Sequence, residues 1–414
     1  MKIKLSLKMF PYYLVAALIG AYPASSVIID GVGSGLWYLL ALFGLICAAI
    51  NVTCKLHFTC EPEVRLLGLI LLAFLAYTLI NQITHGIDDF SESRLERQAL
   101  LLLTFPIYVL IAKLRLDQEA IFKSIIISGL IFLVYFLVSP TTSRLDGVVH
   151  AIHFGNIAMI TGLLCIPTTL NGHSLLWRLL AIVAVTGALI SFIYAGSRGG
   201  VVALSIALFC GLLLHAFRSK LFGRFALGTI ALSAIIIVSI KTVEPLNNRY
   251  TATVIELKAT EEGHFNNSIG IRFQLWEQAW SAAQQNFLTG GGFHAYRQEM
   301  LNAISSGELG SFYGHFLSEP HNQILFQLSS TGIIGVGLLF LLFFAPVVLI
   351  LKKSNFHPNA YEICIILSIT ALFFCGLTIT LLNQRKIIQI FGLLYILAAW
   401  SLQSRNSQDQ LTIP

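Results

Sequence analysis

The chain has 414 residues, of which 56% are hydrophobic and 11% are charged, and its mean hydropathy is +0.79. This composition excludes a soluble globular protein and predicts an all-α polytopic membrane protein, since apolar stretches of roughly 20 residues recur along its length. The formal net charge of +6 reflects membrane topology, because basic residues concentrate in short connections, and we predict no nucleic-acid partner.

We predict about twelve membrane-spanning helices, each of roughly the length that a bilayer requires. They lie near residues 11–29, 36–52, 65–82, 98–112, 120–138, 150–170, 178–195, 200–217, 224–241, 323–350, 360–382 and 387–403. The predicted organisation is therefore nine spans in residues 1–241, one large loop domain at 242–322, three spans in 323–403 and a short tail at 404–414. The distribution of Lys and Arg predicts that both termini are cytoplasmic and that the large loop is extracytoplasmic.

The stretch "YAGSRGGVV" (194–202) is a very tight connection between the seventh and eighth predicted spans. Arg198 lies there on the outer side, against the usual distribution of basic residues, and glycines flank it. Exposed backbone N–H groups, a helix start and a guanidinium fork together favour binding of an anionic phosphate. The alternative is a simple turn whose arginine meets lipid phosphates.

Within the large loop, "SIGIRFQLWEQAW" (268–280) has the spacing of an amphipathic helix that lies at the membrane interface. Its apolar face would carry Ile269, Phe273, Trp276 and Trp280. Arg272 neighbours this face and would lie at the depth of lipid headgroups. It either contributes to a binding site or only anchors the helix by extending toward the headgroups.

The tenth predicted span opens with "SEPHNQILF" (318–326), which has polar groups where a long apolar run begins. We predict that Ser318 caps this helix and that Pro320 lies in its first turn, which places His321 at the positive helix end. A helix N-terminus disfavours the imidazolium, so the ring would stay neutral and able to accept a proton. The alternative is a capping histidine in solvent.

The sequence does not predict a metal site or a cofactor. Cys54, His57 and Cys60 form a small cluster in an inner loop, but a zinc site needs a fourth ligand of similar quality. Asp30, Asp88 and Asp89, in the first two outer loops, are the other candidates for a metal. For these acids the favoured interpretation is that they are solvated loop residues.

Taken together, these stretches resemble the O-antigen ligase and polymerase superfamily. The shared pattern is an S-R-G turn, a long outer loop with S-x-x-x-R-x-x-x-W, and an H-N pair that opens the next span ahead of G-x-x-G. It is carried here by Ser197-Arg198-Gly199, by Ser268, Arg272 and Trp276, and by His321-Asn322, Leu325, Gly332 and Gly335. The segment "NFLTGGGF" (286–293) is similar to the family's N-P-L-x-G-x-G, with Phe287 in place of proline.

The resemblance implies a GT-C-like membrane glycosyltransferase that is inverting and independent of metal. It would transfer a glycan from undecaprenyl diphosphate to a hydroxyl at the periplasmic face of the bacterial inner membrane. The implied catalytic residues are His321, as general base, with Arg198 and Arg272, which would also bind the diphosphate. Gly199, Asn322 and Trp276 are the other implied substrate-binding residues, and Asn322 would help to orient His321.

The leading hypothesis within this family is an O-antigen ligase with lipid A-core as acceptor. The chain length and the large loop favour it over an O-antigen polymerase, which uses the same donor but a carrier-linked glycan as acceptor. A lipid-linked-glycan flippase or transporter is the alternative from another class. It is less favoured because transporters place polar groups in mid-membrane, whereas these groups cluster at one interface.

Overall fold

The computed structural model describes residues 10–53, 60–139, 144–172, 174–219 and 222–409. This part of the chain consists of helices and their connections, with no strand. The helices are α1 (Phe10–Ile28), α2 (Val32–Thr53), α3 (Pro62–His85), α4 (Asp89–Ala99), α5 (Thr104–Leu114), α6 (Gln118–Val138), α7 (Ala151–Asn171), α8 (Leu175–Ala195), α9 (Arg198–Ser219), α10 (Phe222–Thr242), α11 (Glu244–Glu261), α12 (Ser268–Gln285), α13 (His294–Ser305), α14 (Gln323–Lys353), α15 (Ala360–Cys375) and α16 (Arg385–Asp409).

The prediction of an all-α multi-pass membrane protein is confirmed. Within the described ranges, 10 helical segments are long and apolar enough to cross a bilayer. One of them, Asp89–Leu114, joins α4 and α5 through a single 3₁₀ turn at Leu100–Leu103. The predicted ninth span coincides with α10, which is helical but is not among the 10 segments.

The predicted eleventh span, 360–382, is too long. The corresponding helix α15 ends at Cys375 and has 16 residues. At this end the carbonyl oxygen of Gly376 accepts a hydrogen bond from the backbone N–H of Gln323, at the start of α14. This tertiary contact turns the chain into an irregular connection to α16, and an apolar pattern alone does not reveal it.

Hydrogen bonds between distant connections define one end of the bundle, which we call the loop face. The backbone N–H of Val148, in the α6–α7 connection, donates to the carbonyl of Val27 at the end of α1. Asn81, near the end of α3, donates to the carbonyl of Thr289 in the α12–α13 connection. The loop face therefore brings together the polar residues of α11 to α13 and of several short connections.

Helix α14 is interrupted on this face. Gly332 has φ 66° and ψ −170°, so the helical hydrogen-bonding pattern breaks there. The α12–α13 connection fills the break: Gly291 and Gly292 donate to the carbonyls of Ser329 and Ser330, and Ile333 donates to Phe287. The family-like glycine segment is thus docked into the membrane helix that begins after His321, which ties residues 286–293 to the bundle.

Candidate active site

Arg198 is the first residue of α9, after a turn in which α8 ends at Gly196 in the left-handed conformation (φ 63°). Ser197 caps α9, since its hydroxyl oxygen accepts from the N–H of Gly200 at 3.2 Å. Both terminal nitrogens of Arg198 donate to Glu256 of α11, at 2.8 and 2.7 Å. The guanidinium fork is therefore occupied by a carboxylate, in the bidentate geometry that also suits a phosphate.

Two further arginines, which belong to none of the sequence motifs, lie against the same turn. Arg144, from the α6–α7 connection, donates to the carbonyls of Ala195 and Gly196 at 3.0 and 3.3 Å. Arg249 of α11 packs over Gly196 so closely that an added Cβ would lie 2.9 Å from its Nε atom. Burial, followed by the charges of Arg249 and Arg198, lowers the pKa of Arg144 below its usual value.

Arg272 belongs to this arginine cluster. Asn267 caps α12 by accepting from the N–H groups of Ile269 and Gly270, and Arg272 follows in the second turn. Burial, and then the charge of Arg198, lowers the pKa of Arg272, while Glu256 opposes the shift. Arg272 is half-buried on α12, and its role in substrate binding stays a prediction.

Trp276 lies one turn after Arg272 on α12. Its ring meets Phe273 edge-on with centroids 5.7 Å apart, and its indole N–H is buried without a hydrogen-bond partner. Phe273 and Trp280 are both exposed by almost half, as an interfacial helix requires. The buried face of α12 is instead formed by Gly270, Leu275, Gln278, Ala279, Ala282 and Ala283.

The start of α14 differs from the prediction. Asn322 is the cap, because its side-chain oxygen accepts from the N–H groups of Ile324 and Leu325 at 3.0 and 3.1 Å. The predicted cap at Ser318 is wrong, and His321 precedes the helix. Because the Asn322 oxygen is used in the cap, the predicted orientation of His321 by Asn322 is also not what the structure contains.

The partner of His321 is Glu319. His321 adopts the left-handed conformation (φ 53°), which turns its ring back over the preceding residues. Its Nδ1 atom lies 3.3 Å from the Oε1 atom of Glu319, and Phe316 contacts the ring edge-on. A non-glycine residue in this conformation is uncommon and marks sites where the surroundings enforce it.

His321 and Glu319 line a cavity of about 430 Å³ at the loop face. Its other polar lining residues are His150, His153, Gln384, Arg385 and Lys386. Burial alone would raise the pKa of Glu319, but the hydrogen bond and charge of His321, with the hydrogen bond from Asn383, hold it below its usual value. Glu319 is thus a carboxylate at neutral pH, and it lies beside the imidazole.

The arginine cluster and the His321 cavity are linked by the α15–α16 connection. A Cβ on Gly199 would lie 2.2 Å from the hydroxyl of Thr378, and the next residue, Ile379, lines the cavity. In addition, burial and the charges of Arg144 and His321 lower the pKa of His150, which lies between the two groups. The close approach to Thr378 gives Gly199 a packing reason to be glycine, and its role in substrate binding stays a prediction.

The acids considered for a metal make other contacts or are exposed. Asp88 caps α4 and contacts His294 at 2.9 Å, while Asp30 and Asp89 are exposed. Within the described ranges no group of three or more His, Cys, Asp or Glu side chains could hold a metal ion. Cys54 and His57 lie outside the described residues.

Comparison with known families shows where this site belongs. Residues 182–341 match the family described as O-antigen ligase. This segment of the chain is similar to that family. The predicted resemblance to the ligase and polymerase superfamily is confirmed, and Arg198, Arg272 and His321 all lie inside the matched segment. The match supports ligase or polymerase activity by a membrane glycosyltransferase-like enzyme.

One similar protein, which aligns with most of this chain, is an uncharacterized protein of Haemophilus influenzae. It is 24% identical over 331 residues, which cover 77% of this chain and 80% of the relative. The similarity therefore extends well beyond the matched family segment into the surrounding helices.

Proposed function

We propose that this protein is an O-antigen ligase. It transfers O-antigen polysaccharide from undecaprenyl diphosphate to a hydroxyl of lipid A-core. The reaction takes place at the periplasmic face of the bacterial inner membrane, with the loop face periplasmic and both termini cytoplasmic. The observation that carries this proposal is a group of half-buried arginines beside a histidine cavity, with Arg198, Arg272 and His321 inside the segment that matches the O-antigen ligase family.

The charge of the cluster suits a diphosphate. Arg198 and Arg249 act electrostatically on Arg144, and Arg198 also acts on Arg272. One acid opposes each effect, Asp146 at Arg144 and Glu256 at Arg272, so the arginines of this cluster outnumber these acids. Arginine stays protonated even where burial opposes its charge. A dianion that binds here neutralises this positive charge. The donor diphosphate gains negative charge as it leaves, so the same arginines stabilise the transition state.

The His321 cavity suits the acceptor. The acceptor oxygen attacks the anomeric carbon of the donor sugar from the face opposite the diphosphate, and His321 takes the hydroxyl proton. The new C–O bond forms as the bond to the diphosphate oxygen breaks, and the electron pair leaves with the undecaprenyl diphosphate. Attack from the opposite face inverts the anomeric centre. The arginine charge replaces a metal ion in this scheme, so we propose a metal-independent reaction.

Lipopolysaccharide from a strain that lacks this gene tests the proposal. We expect the whole O-chain ladder to disappear while carrier-linked polymer accumulates. A single band of core plus one repeat unit would instead identify an O-antigen polymerase. A normal ladder, or unprocessed units retained on the cytoplasmic side, would contradict both and favour a flippase.

A further inference from the structure

We propose that Glu319 is a positioning residue for His321. It holds the imidazole with its proton on Nδ1, so that Nε2 faces the acceptor hydroxyl as a proton acceptor. This inference rests on the proposed function and adds a residue that the family motifs do not contain.

The geometry begins with the left-handed backbone of His321. With φ 53°, the chain reverses between Glu319 and Asn322, and the imidazole Nδ1 comes to lie 3.3 Å from Glu319 Oε1. A carboxylate can only accept a hydrogen bond, so we assign the proton of the neutral ring to Nδ1, the nitrogen that lies nearest Glu319. The remaining nitrogen, Nε2, then has its lone pair available.

Glu319 is itself held in place from two other elements. Its second oxygen accepts from the side-chain amide of Asn383, at 3.3 Å. Asn383 is in turn tied to α4, because Arg97 donates to its carbonyl at 2.8 Å. A second arginine of α4, Arg94, donates to the carbonyl of Ser318 and is buried between Phe90 and Phe326. Ordinary solvated loops are not braced in this way, which indicates that the orientation of this carboxylate matters.

Glu319 and His321 are buried to different extents. The side chain of Glu319 is 12% exposed and that of His321 is 35% exposed. The carboxylate is thus enclosed, while the imidazole opens onto the 430 Å³ cavity where an acceptor could enter. The other ionisable groups that face this pair are Arg94 of α4, His150 and His153 at the start of α7, Tyr296 of α13, and Arg385 and Lys386 of α16.

The hydroxyl proton moves to Nε2 as the acceptor oxygen bonds to the anomeric carbon, and the ring becomes an imidazolium that carries protons on both nitrogens. Glu319 remains ionised and stabilises this cation across the Nδ1 contact. The Nε2 proton is then released to water, or to the departing diphosphate, which restores the neutral ring.

The test is a pH–rate profile of the full-length protein in nanodiscs, with carrier-linked O-antigen as donor and lipid A-core as acceptor. An opposite charge in contact shifts a titration by about one unit or more. In Glu319→Gln we therefore expect the acid limb to move to lower pH by about one unit and kcat to fall about tenfold, with the donor KM unchanged. Glu319→Asp keeps the charge, so its acid limb should stay at the wild-type position.

Control variants separate positioning from a general structural role. Glu262→Gln removes an exposed carboxylate from the end of α11 and should leave the profile unchanged. In a His321→Gln background, Glu319→Gln should cause no further loss, because Glu319 acts through the ring. A further loss in the double variant, or a wild-type profile for Glu319→Gln, overturns the inference while His321 remains the base. If His321→Gln itself transfers glycan at the wild-type rate, the proposed base role fails and this inference fails with it.

Discussion

Arg272 keeps its positive charge in surroundings that oppose it, since burial and Arg198 both lower its pKa. This arrangement costs stability in the unliganded protein and favours binding of an anion. A residue that only anchors the helix would extend its charge toward the headgroups, and a binding role for Arg272 stays a prediction that its variants test.

For Arg272→Ala we expect glycan transfer to fall by about 100-fold, the typical cost of one lost donor to a developing anion. Arg272→Lys should recover little, because an ammonium keeps the charge but loses the planar fork. Transfer rates of purified variants measure both effects. Lys258→Ala removes an exposed cation from α11 and serves as the control, with wild-type rate expected. Full activity in Arg272→Ala would reduce this residue to an anchor.

Glu256 occupies the fork of Arg198 and must give way if a diphosphate binds there. A partly exposed ion pair of this kind contributes up to about 1 kcal/mol. We expect Glu256→Gln to lower the donor KM by about two- to fivefold, with little change in kcat. Initial rates over a range of donor concentrations measure this. A raised KM would mean that Glu256 orients Arg198 and does not compete with the donor.

Within α14, the break at Gly332 receives hydrogen bonds from the α12–α13 connection and so joins that connection to the membrane bundle. Gly332 has a backbone conformation that is essentially restricted to glycine, and an added Cβ would lie 2.3 Å from the carbonyl oxygen of Leu288. Gly337, further along α14, has open space around it and ordinary helical geometry. These two glycines look alike in the sequence, yet only one of them is needed by the fold.

We expect Gly332→Ala to destabilise the protein by at least about 1–3 kcal/mol, the usual cost of an unfavourable backbone conformation, with the steric clash in addition. Gly337→Ala should be neutral or stabilising by up to about 1 kcal/mol, because alanine favours a helix. Thermal unfolding in detergent compares the two. Equal melting temperatures would show that the break in α14 does not depend on Gly332.

Arg198, Arg272 and His321 could be selected from the sequence because each one interrupts an apolar or amphipathic pattern. Glu319 was visible in the same stretch as His321, but only the left-handed turn at His321 shows that the two side chains meet. Glu256 lies on a polar helix among many other charges, so its pairing with Arg198 has no sequence signal. Arg144 carried a weak signal, since it is a basic residue in a short outer connection.

The helix ends were less predictable than the helices, because tertiary contacts decide them. The pattern Ser318-x-Pro320 satisfies the ordinary rules for a cap, but Asn322 provides the cap. A backbone hydrogen bond between Gln323 and Gly376 joins the start of α14 to the end of α15. No local pattern in either segment encodes a hydrogen bond between them.

Across the whole molecule, the arginines that we propose to bind the diphosphate come from α9, α11, α12 and the α6–α7 connection. If these arginines neutralise the diphosphate, no divalent cation is needed for the same task. We therefore expect the purified protein to transfer glycan at an unchanged rate in excess chelator. Loss of activity that magnesium or manganese restores would contradict this, and would direct attention to Asp30, Asp88 and Asp89.

We propose that this protein joins a carrier-linked glycan to lipid A-core and that His321 accepts the hydroxyl proton. The most direct test is transfer by the purified protein in nanodiscs, with wild type and His321→Gln compared in parallel. General-base assistance is worth about 10²–10⁴-fold, so we predict conjugate formation by wild type and a loss of at least about 100-fold in the variant, with donor binding retained. Conjugate formation at near wild-type rate by His321→Gln, or no conjugate with lipid A-core from wild type, would contradict the account.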